Sequence, residues 1–163
     1  MTAIGWALRP LKHYADFNGR APRAEYWCYS LAAFVAGVVV DVVDRFTFGP
    51  VYGDQGPLAV LFTLAVLIPG AAVAVRRLHD IDRSGWWFLL NVWSYFFLLA
   101  RAVKRSAVQL FDGLPSGAGF LIVLAVLVCV VMSFIFMITP GTEGENRYGS
   151  DPYGPDHLEE VFA

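Results

Sequence analysis

Charge is scarce in this chain, and cysteine is scarcer. Only 16% of its 163 residues are Asp, Glu, Lys or Arg, and two are cysteine. A soluble domain averages about 25% charged residues, so the polar surface here is too small to wrap a water-facing fold. The bases form no block long enough to track a nucleic-acid backbone, which excludes that partner. Cys28 and Cys129 both lie in apolar runs. That placement argues against a disulfide framework and a zinc site, and fits small buried hydrophobes. The first 25 residues lack the unbroken apolar stretch of a cleavable signal peptide. No GxSxG, HExxH, phosphate-loop or paired-carboxylate motif occurs. The pair His79-Asp80 is the nearest approach to acid–base chemistry, and His13 and His157 stand at no ligand-like spacing from it. The sequence therefore predicts no enzyme, no cofactor and no metal.

What is present is hydrophobicity, 57% of the chain, gathered into four long runs. A helix that crosses a bilayer core of about 30 Å needs about 17–25 apolar residues. The runs predict spans at 26–43, 58–75, 86–103 and 118–138. The third is the most interrupted, by Asn91, Ser94 and Arg101. The expected fold is all-α: a polytopic four-helix transmembrane bundle, a single membrane domain over residues 1–163, with a polar acidic tail at 140–163. Ahead of it, Trp6, Leu8, Leu11, Tyr14 and Phe17 alternate with charges. They predict an interfacial segment whose helical length Pro10 limits. Pro22 suits the first turn of the first span. Pro69 beside Gly70 predicts a bend in the second, with the freed carbonyls taken by a neighbour. Ala33-Gly37 and Gly70-Ala74 are small pairs that let helices approach closely. Asp41 and Asp44 fall near the outer end of the first span, where Arg45 is spaced to pair with Asp41.

Orientation follows the bases. With four spans, eight of the twelve Lys and Arg share the side that carries both termini. The expected disposition is multi-pass with both termini on the cytoplasmic side. Trp6, Trp27, Trp86 and Trp87 fall at that inner interface, where amphipathic rings are favoured. In a rival topology residues 86–103 dip in and return, which puts the tail outside.

Three polar clusters then share the inner face. The first runs Asp16-Phe17-Asn18-Gly19-Arg20-Ala21-Pro22-Arg23-Ala24-Glu25-Tyr26-Trp27. The second runs Arg76-Arg77-Leu78-His79-Asp80-Ile81-Asp82-Arg83-Ser84-Gly85-Trp86-Trp87. The third runs Pro140-Gly141-Thr142-Glu143-Gly144-Glu145-Asn146-Arg147-Tyr148-Gly149-Ser150-Asp151-Pro152. In this order the clusters resemble the bacterial inner-membrane family called domain of unknown function 805 (DUF805, YhaH-like). The resemblance rests on Phe17, Gly19, Arg20, Arg23, Glu25 and Trp27, then on Arg76 to Asp80 and Arg83 to Trp87. It ends on Pro140 to Thr142, Gly144, Asn146, Arg147, Tyr148, Gly149, Asp151 and Pro152. It implies an inner-membrane protein and supplies no activity. It also implies one apolar run between the second and third motifs, where this chain has two.

Arg20, Arg23, Arg76, Arg77 and Arg83 would crowd the inner interface, and guanidinium groups suit phosphate. They are candidate contacts for anionic phospholipids or a membrane-protein partner. Ion pairs to Asp80, Asp82, Glu25 and the acidic tail are the competing use of the same groups. The tail acids are expected to dock on the basic loops and close the inner face. The leading functional expectation is a non-enzymatic scaffold, sensor or regulator in the lipid bilayer, acting through its cytoplasmic face, alone or as a homo-oligomer. The alternatives are a small oligomeric transporter or channel, whose spans offer Asn91, Ser94, Thr63 and Ser133, and a lipid-headgroup enzyme built on His79 and Asp80.

Overall fold

The computed structural model describes residues 2–49, 56–91 and 116–154. The chain enters through α1, Ala3–Lys12, whose first turn is capped by the Thr2 hydroxyl, 3.2 Å from the Gly5 amide. This helix runs two residues past Pro10. It leaves Ile4, Leu8 and Leu11 exposed and buries Trp6. Such a helix, apolar on its open side and basic in its last turn, suits a membrane surface.

Among the described residues two helices are long and apolar enough to cross a bilayer. The first, α2, spans Arg23–Phe48, 26 residues, and starts after Pro22, whose missing N–H costs nothing at that place. Glu25 in its first turn complements the positive end of the helix dipole. Gly49 ends it in the left-handed region, φ 59°. The second, α3, spans Pro57–Asp80, 24 residues, with proline at its first helical position. Both helices run past the expected 26–43 and 58–75 because their polar ends continue the hydrogen-bond ladder beyond the apolar part. Only 6% of the most apolar stretch of α2 is buried inside the protein, against 33% for α3. Valines and phenylalanines such as Phe34 and Phe46 point outwards, the arrangement expected where lipid takes the place of water.

After α3 the chain does not begin a third α-helix at Trp86. Residues Gly85–Asn91 form a 3₁₀ helix. It is started by a tight turn in which the Trp87 amide donates to the Ser84 carbonyl, 3.1 Å, and the Trp86 amide to the Ser84 hydroxyl, 3.3 Å. The rest of the expected third span, 92–103, lies outside the described residues, as do Lys104, Arg105 and the tail from 155 onwards. The last helix, α4, spans Ser116–Ile138, close to the expected 118–138. Its stretch Leu124–Ile138 is a shorter apolar helix.

Buried side chains collect at one end of these helices. Ala21, Tyr29 and Val73 form one cluster, and Leu78, Phe136 and Met137 another beside it. Trp27 meets Phe134 edge-on at 5.8 Å, which brings α2 to α4 at the same level. Pro69 has no N–H for the carbonyl four residues back, and that carbonyl is taken: the Tyr14 hydroxyl donates to Ala65 O at 2.7 Å. The Tyr29 hydroxyl donates to the next carbonyl, Val66 O, at 3.0 Å. In hydrocarbon these bonds replace what water would otherwise supply.

At the other end α2 and α3 are stitched by Asp44. Its carboxylate accepts from the amides of Leu58 at 3.2 Å and Ala59 at 2.5 Å, so it caps α3 from the neighbouring helix. Gly56 makes room, because a Cβ there would lie 2.5 Å from Asp44 Cγ. The sequence favours an Asp41–Arg45 pair at this level. Among the described residues the two form no ion pair, and the partnered acid is Asp44. We therefore expect Asp44→Ala to lower unfolding stability in detergent by about 0.5–2 kcal/mol, the worth of a helix cap. Arg45→Ala, at an exposed site, should leave it unchanged, and equal effects of the two would contradict the cap.

Candidate functional site

The polar site grows from the last turn of α3. The helix stops at Asp80 because Asp82 adopts φ 55°, a left-handed conformation that aspartate tolerates better than most residues. The amides of Ile81 and Arg83 fold back onto the Leu78 carbonyl at 3.2 and 2.9 Å. This arrests Asp80 with its carboxylate turned towards the first and third motifs, not into solvent.

Two guanidiniums share that carboxylate. Arg20 Nε donates to Asp80 Oδ1 at 3.0 Å, and Arg77 Nη1, from the preceding turn of α3, pairs with Oδ2. The side chains are 1%, 0% and 5% exposed for Arg20, Arg77 and Asp80. One carboxylate cannot satisfy two forks of five donors each, and the remaining donors go to backbone carbonyls. Arg20 reaches Thr142 O at 2.5 Å and Gly144 O at 2.6 Å. Arg77 reaches Thr139 O, and Met137 O at 3.4 Å. Arg23 donates to Ile138 O at 3.2 Å. The carbonyls of 137–139 are the last of α4, the negative end of its dipole, which cations favour. The Asp80 carbonyl in turn accepts from the Thr142 amide at 2.8 Å and its hydroxyl at 3.1 Å. Gly141 lies against the carboxylate so closely that a Cβ would stand 2.8 Å from Asp80 Cγ.

A second layer surrounds this clasp. His79 Nδ1 lies 3.1 Å from Gly19 O; a carbonyl only accepts, so this nitrogen carries the hydrogen. The imidazole stacks on Tyr148, with centroids 3.8 Å apart and planes 2° from parallel. Asn146 donates to the His79 carbonyl at 3.0 Å and to the Thr142 hydroxyl at 2.8 Å. It also accepts from the Tyr148 amide at 2.9 Å, and its backbone pairs with Gly149 in a tight reversal. Gly149 at φ 134° permits that turn. Beside it, Ala21 N donates to Arg76 O at 3.0 Å, and buried Glu25 pairs with Arg76 at 3.0 Å. Arg147 pairs with Asp82 at 3.0 Å on the open side.

The candidate arginines thus divide. Arg20, Arg76 and Arg77 are inside the protein and face carboxylates and carbonyls. Arg23 and Arg83 are exposed, Arg83 lying 5.8 Å from the Trp87 ring centre. Of the family-motif residues, Gly19, Glu25, His79, Asp80, Asn146, Arg147, Tyr148 and Gly149 join the clasp or its second layer. Ser84 and Gly85 make the turn beside it, and Phe17, Trp27 and Trp86 remain exposed. The expected docking of tail acids takes another form. Glu143 and Glu145 are exposed, and Asp151 accepts from its own loop, from Gly144 N at 3.1 Å and Tyr153 N at 2.9 Å. Among the described residues, 139–144 are held through their carbonyls, which no residue type announces in a sequence, and Asp156, Glu159 and Glu160 lie outside the described residues. Among the described residues no three His, Cys, Asp or Glu side chains gather as a metal site.

The model of the family "Protein of unknown function (DUF805)" matches residues 14–150. The chain is 36% identical over 148 residues to "Inner membrane protein YhaI" of Escherichia coli (strain K12), covering 90% of this chain and 94% of that protein. It is 33% identical over 149 residues to "Inner membrane protein YhaH" of the same strain, with 91% and 97% covered. A third relative, "Uncharacterized protein YiiR", is 29% identical over 141 residues, with 83% and 85% covered. No solved structure matches.

Removing one member of a buried ionic group strands its partners at about 3–5 kcal/mol. Asp80→Ala leaves two buried guanidiniums without their carboxylate. We expect it to abolish most detergent-stable protein, and Gly141→Ala to lower the unfolding temperature as well. Glu143→Ala and Glu145→Ala should match the parent. A parent-like melting curve for Asp80→Ala would refute the clasp.

Proposed function

The chain belongs to the DUF805 family, and on that premise we propose that it is a non-enzymatic inner-membrane protein that organises, senses or regulates through its cytoplasmic face. The observation that carries this reading is the saturation of Asp80. Arg20, Arg77 and Asp80 are spent on one another and on backbone carbonyls, so they build an interlocked cap that joins the three motifs. His79, the obvious acid–base candidate, has one nitrogen tied to Gly19 and its ring face covered by Tyr148.

What the cap turns outwards is a rim of Arg23, Arg83, Trp27, Trp86 and Phe17. Arginine beside exposed tryptophan suits the headgroup layer, where phosphates and an amphipathic boundary meet. On this reading Arg23 and Arg83 contact anionic phospholipids, and Phe17 and Trp86 offer purchase to a membrane-protein partner or a second copy. The bundle has four spans with both termini in the cytoplasm, a disposition supported by the distribution of bases and by the gathering of the three motifs at one end.

A second reading, a small transporter or channel formed by several copies, draws on the cavity between α2 and α3, where Ser30, Asp41 and Thr63 interrupt a mostly apolar wall. Vesicle flux separates the two, since a scaffold moves no solute.

Two measurements test the leading reading. Each base near an anionic surface contributes about 1 kcal/mol, or about fivefold in affinity. Arg23→Glu and Arg83→Glu should therefore reduce retention of phosphatidylglycerol in native mass spectrometry, with insertion intact; unchanged retention removes lipid from the proposal. A reporter fused after Ala163, and another before Met1, should both report the cytoplasm, and a tail found outside the cell overturns the shared face.

A further inference from the structure

The facing sides of α2 and α3 do not close against each other along their whole length. Between them, towards the Asp44 end, lies a cavity of about 340 Å³. Its walls are mostly apolar, with Phe34 and Phe62 among them, and Gly37 contributes no side chain to fill the space. Three polar side chains line it: Ser30, Asp41 and Thr63. Asp41 is half-buried and makes no ion pair or hydrogen bond among the described residues. Thr63 is 8% exposed, and its hydroxyl is likewise without a partner there. Asp44, three residues on, is the contrast, with two backbone amides on its carboxylate. An unpartnered carboxylate and an unpartnered hydroxyl that both open onto one mostly apolar cavity are costly features in a membrane-spanning pair of helices.

Size and chemistry both point to a ligand. The volume falls at the lower end of small-molecule sites, about 300–1,000 Å³, which are mainly apolar with a few polar groups that set orientation. Both unpartnered groups can accept a hydrogen bond, and one of them is anionic when ionised. Aromatic walls favour cations over anions. A ligand whose only charge is a phosphate or carboxylate is repelled by Asp41, and a plain hydrocarbon tail satisfies neither acceptor. We propose that this cavity binds an ammonium group carried on an apolar body, with Asp41 as counter-ion and Thr63 as second acceptor. The site lies at the opposite end of the helices from the Asp80 clasp and is independent of the cytoplasmic-face reading. The ammonium can belong to a free lipophilic amine or to the headgroup of phosphatidylethanolamine.

Dicyclohexylcarbodiimide supplies the test, because it is apolar and attacks carboxyl groups within reach of lipid. The acid proton passes to a carbodiimide nitrogen while the carboxylate oxygen bonds to the central carbon. The acyl group then migrates to nitrogen, giving an N-acylurea with every atom retained, so the protein gains the mass of one reagent. With full-length protein in phosphatidylcholine nanodiscs, peptide mapping should find the adduct on Asp41 and none on Asp44. Octylammonium at about ten times its Kd should slow labelling about tenfold. Octanol, of the same length without the charge, should not slow it. Asp41→Asn should abolish the adduct, and Thr63→Val, which leaves the carboxylate in place, should weaken protection by octylammonium. Slower labelling in phosphatidylethanolamine nanodiscs without added amine identifies the lipid as the source, and equal rates assign the site to free amines. Absence of an adduct on Asp41, no protection by octylammonium, or equal protection by octanol overturns the proposal.

Discussion

One carboxylate held between two guanidiniums governs the ordered end of this protein. Asp80 is charged, buried and placed where a helix stops, and each of these facts imposes a condition. Burial of the charge requires partners with good geometry, since desolvation outweighs an imperfect ion pair. Arg77 comes from the same helix, but Arg20 is 60 residues away in sequence, so the condition becomes a long-range restraint. The donors left over require acceptors of their own. These are the closing carbonyls of α4 and the turn that follows it. The first motif, the end of α3 and the tail are thereby fixed against one another through a single acid. Without it, the surrounding arginines would repel one another and the carbonyls would lose their donors.

Much of the architecture was legible in the residues because lipid is an undemanding solvent to read. Apolar runs of sufficient length and the absence of charge located α2, α3 and α4 to within a few residues of their apolar parts. Pro69 announced one free carbonyl, that of Ala65, and the chain supplies Tyr14 to satisfy it, while Tyr29 donates to the neighbouring Val66 carbonyl. The segment after Ser84 was misread at its start. Apolarity reports burial depth and says nothing about whether the turns are α or 3₁₀, and Ser84 sets the tighter form by accepting from two successive amides.

The site was legible as three clusters and illegible as a geometry. Arg20 and Arg77 carry the same letter as Arg23 and Arg83, yet the former pair is sealed in protein and the latter faces outwards. What separates them is the position of carbonyl oxygens, which every residue owns and none advertises. For the same reason the tail acids drew attention that belonged to the peptide groups of Met137, Thr139, Thr142 and Gly144. Gly141 could have been read as a point of close approach, but only with Asp80 known to be its neighbour. At Asp41 and Asp44, three residues apart, spacing favours an Asp41–Arg45 pair, whereas the inter-helix cap is decided by which of them meets the first amides of α3.

The spacing of the clasp along the chain also orders its assembly in time. Arg20 and Asp80 leave the ribosome well before the carbonyls of Thr142 and Gly144 that complete their bonding. Domains generally form during synthesis from the N-terminal side, and here the early helices must wait in the bilayer with donors unfilled. The last turn of α4 and its following loop therefore behave as a latch that closes only once the chain has been made through Gly144. Until then the Arg20 and Arg77 donors aimed at those carbonyls stay unfilled.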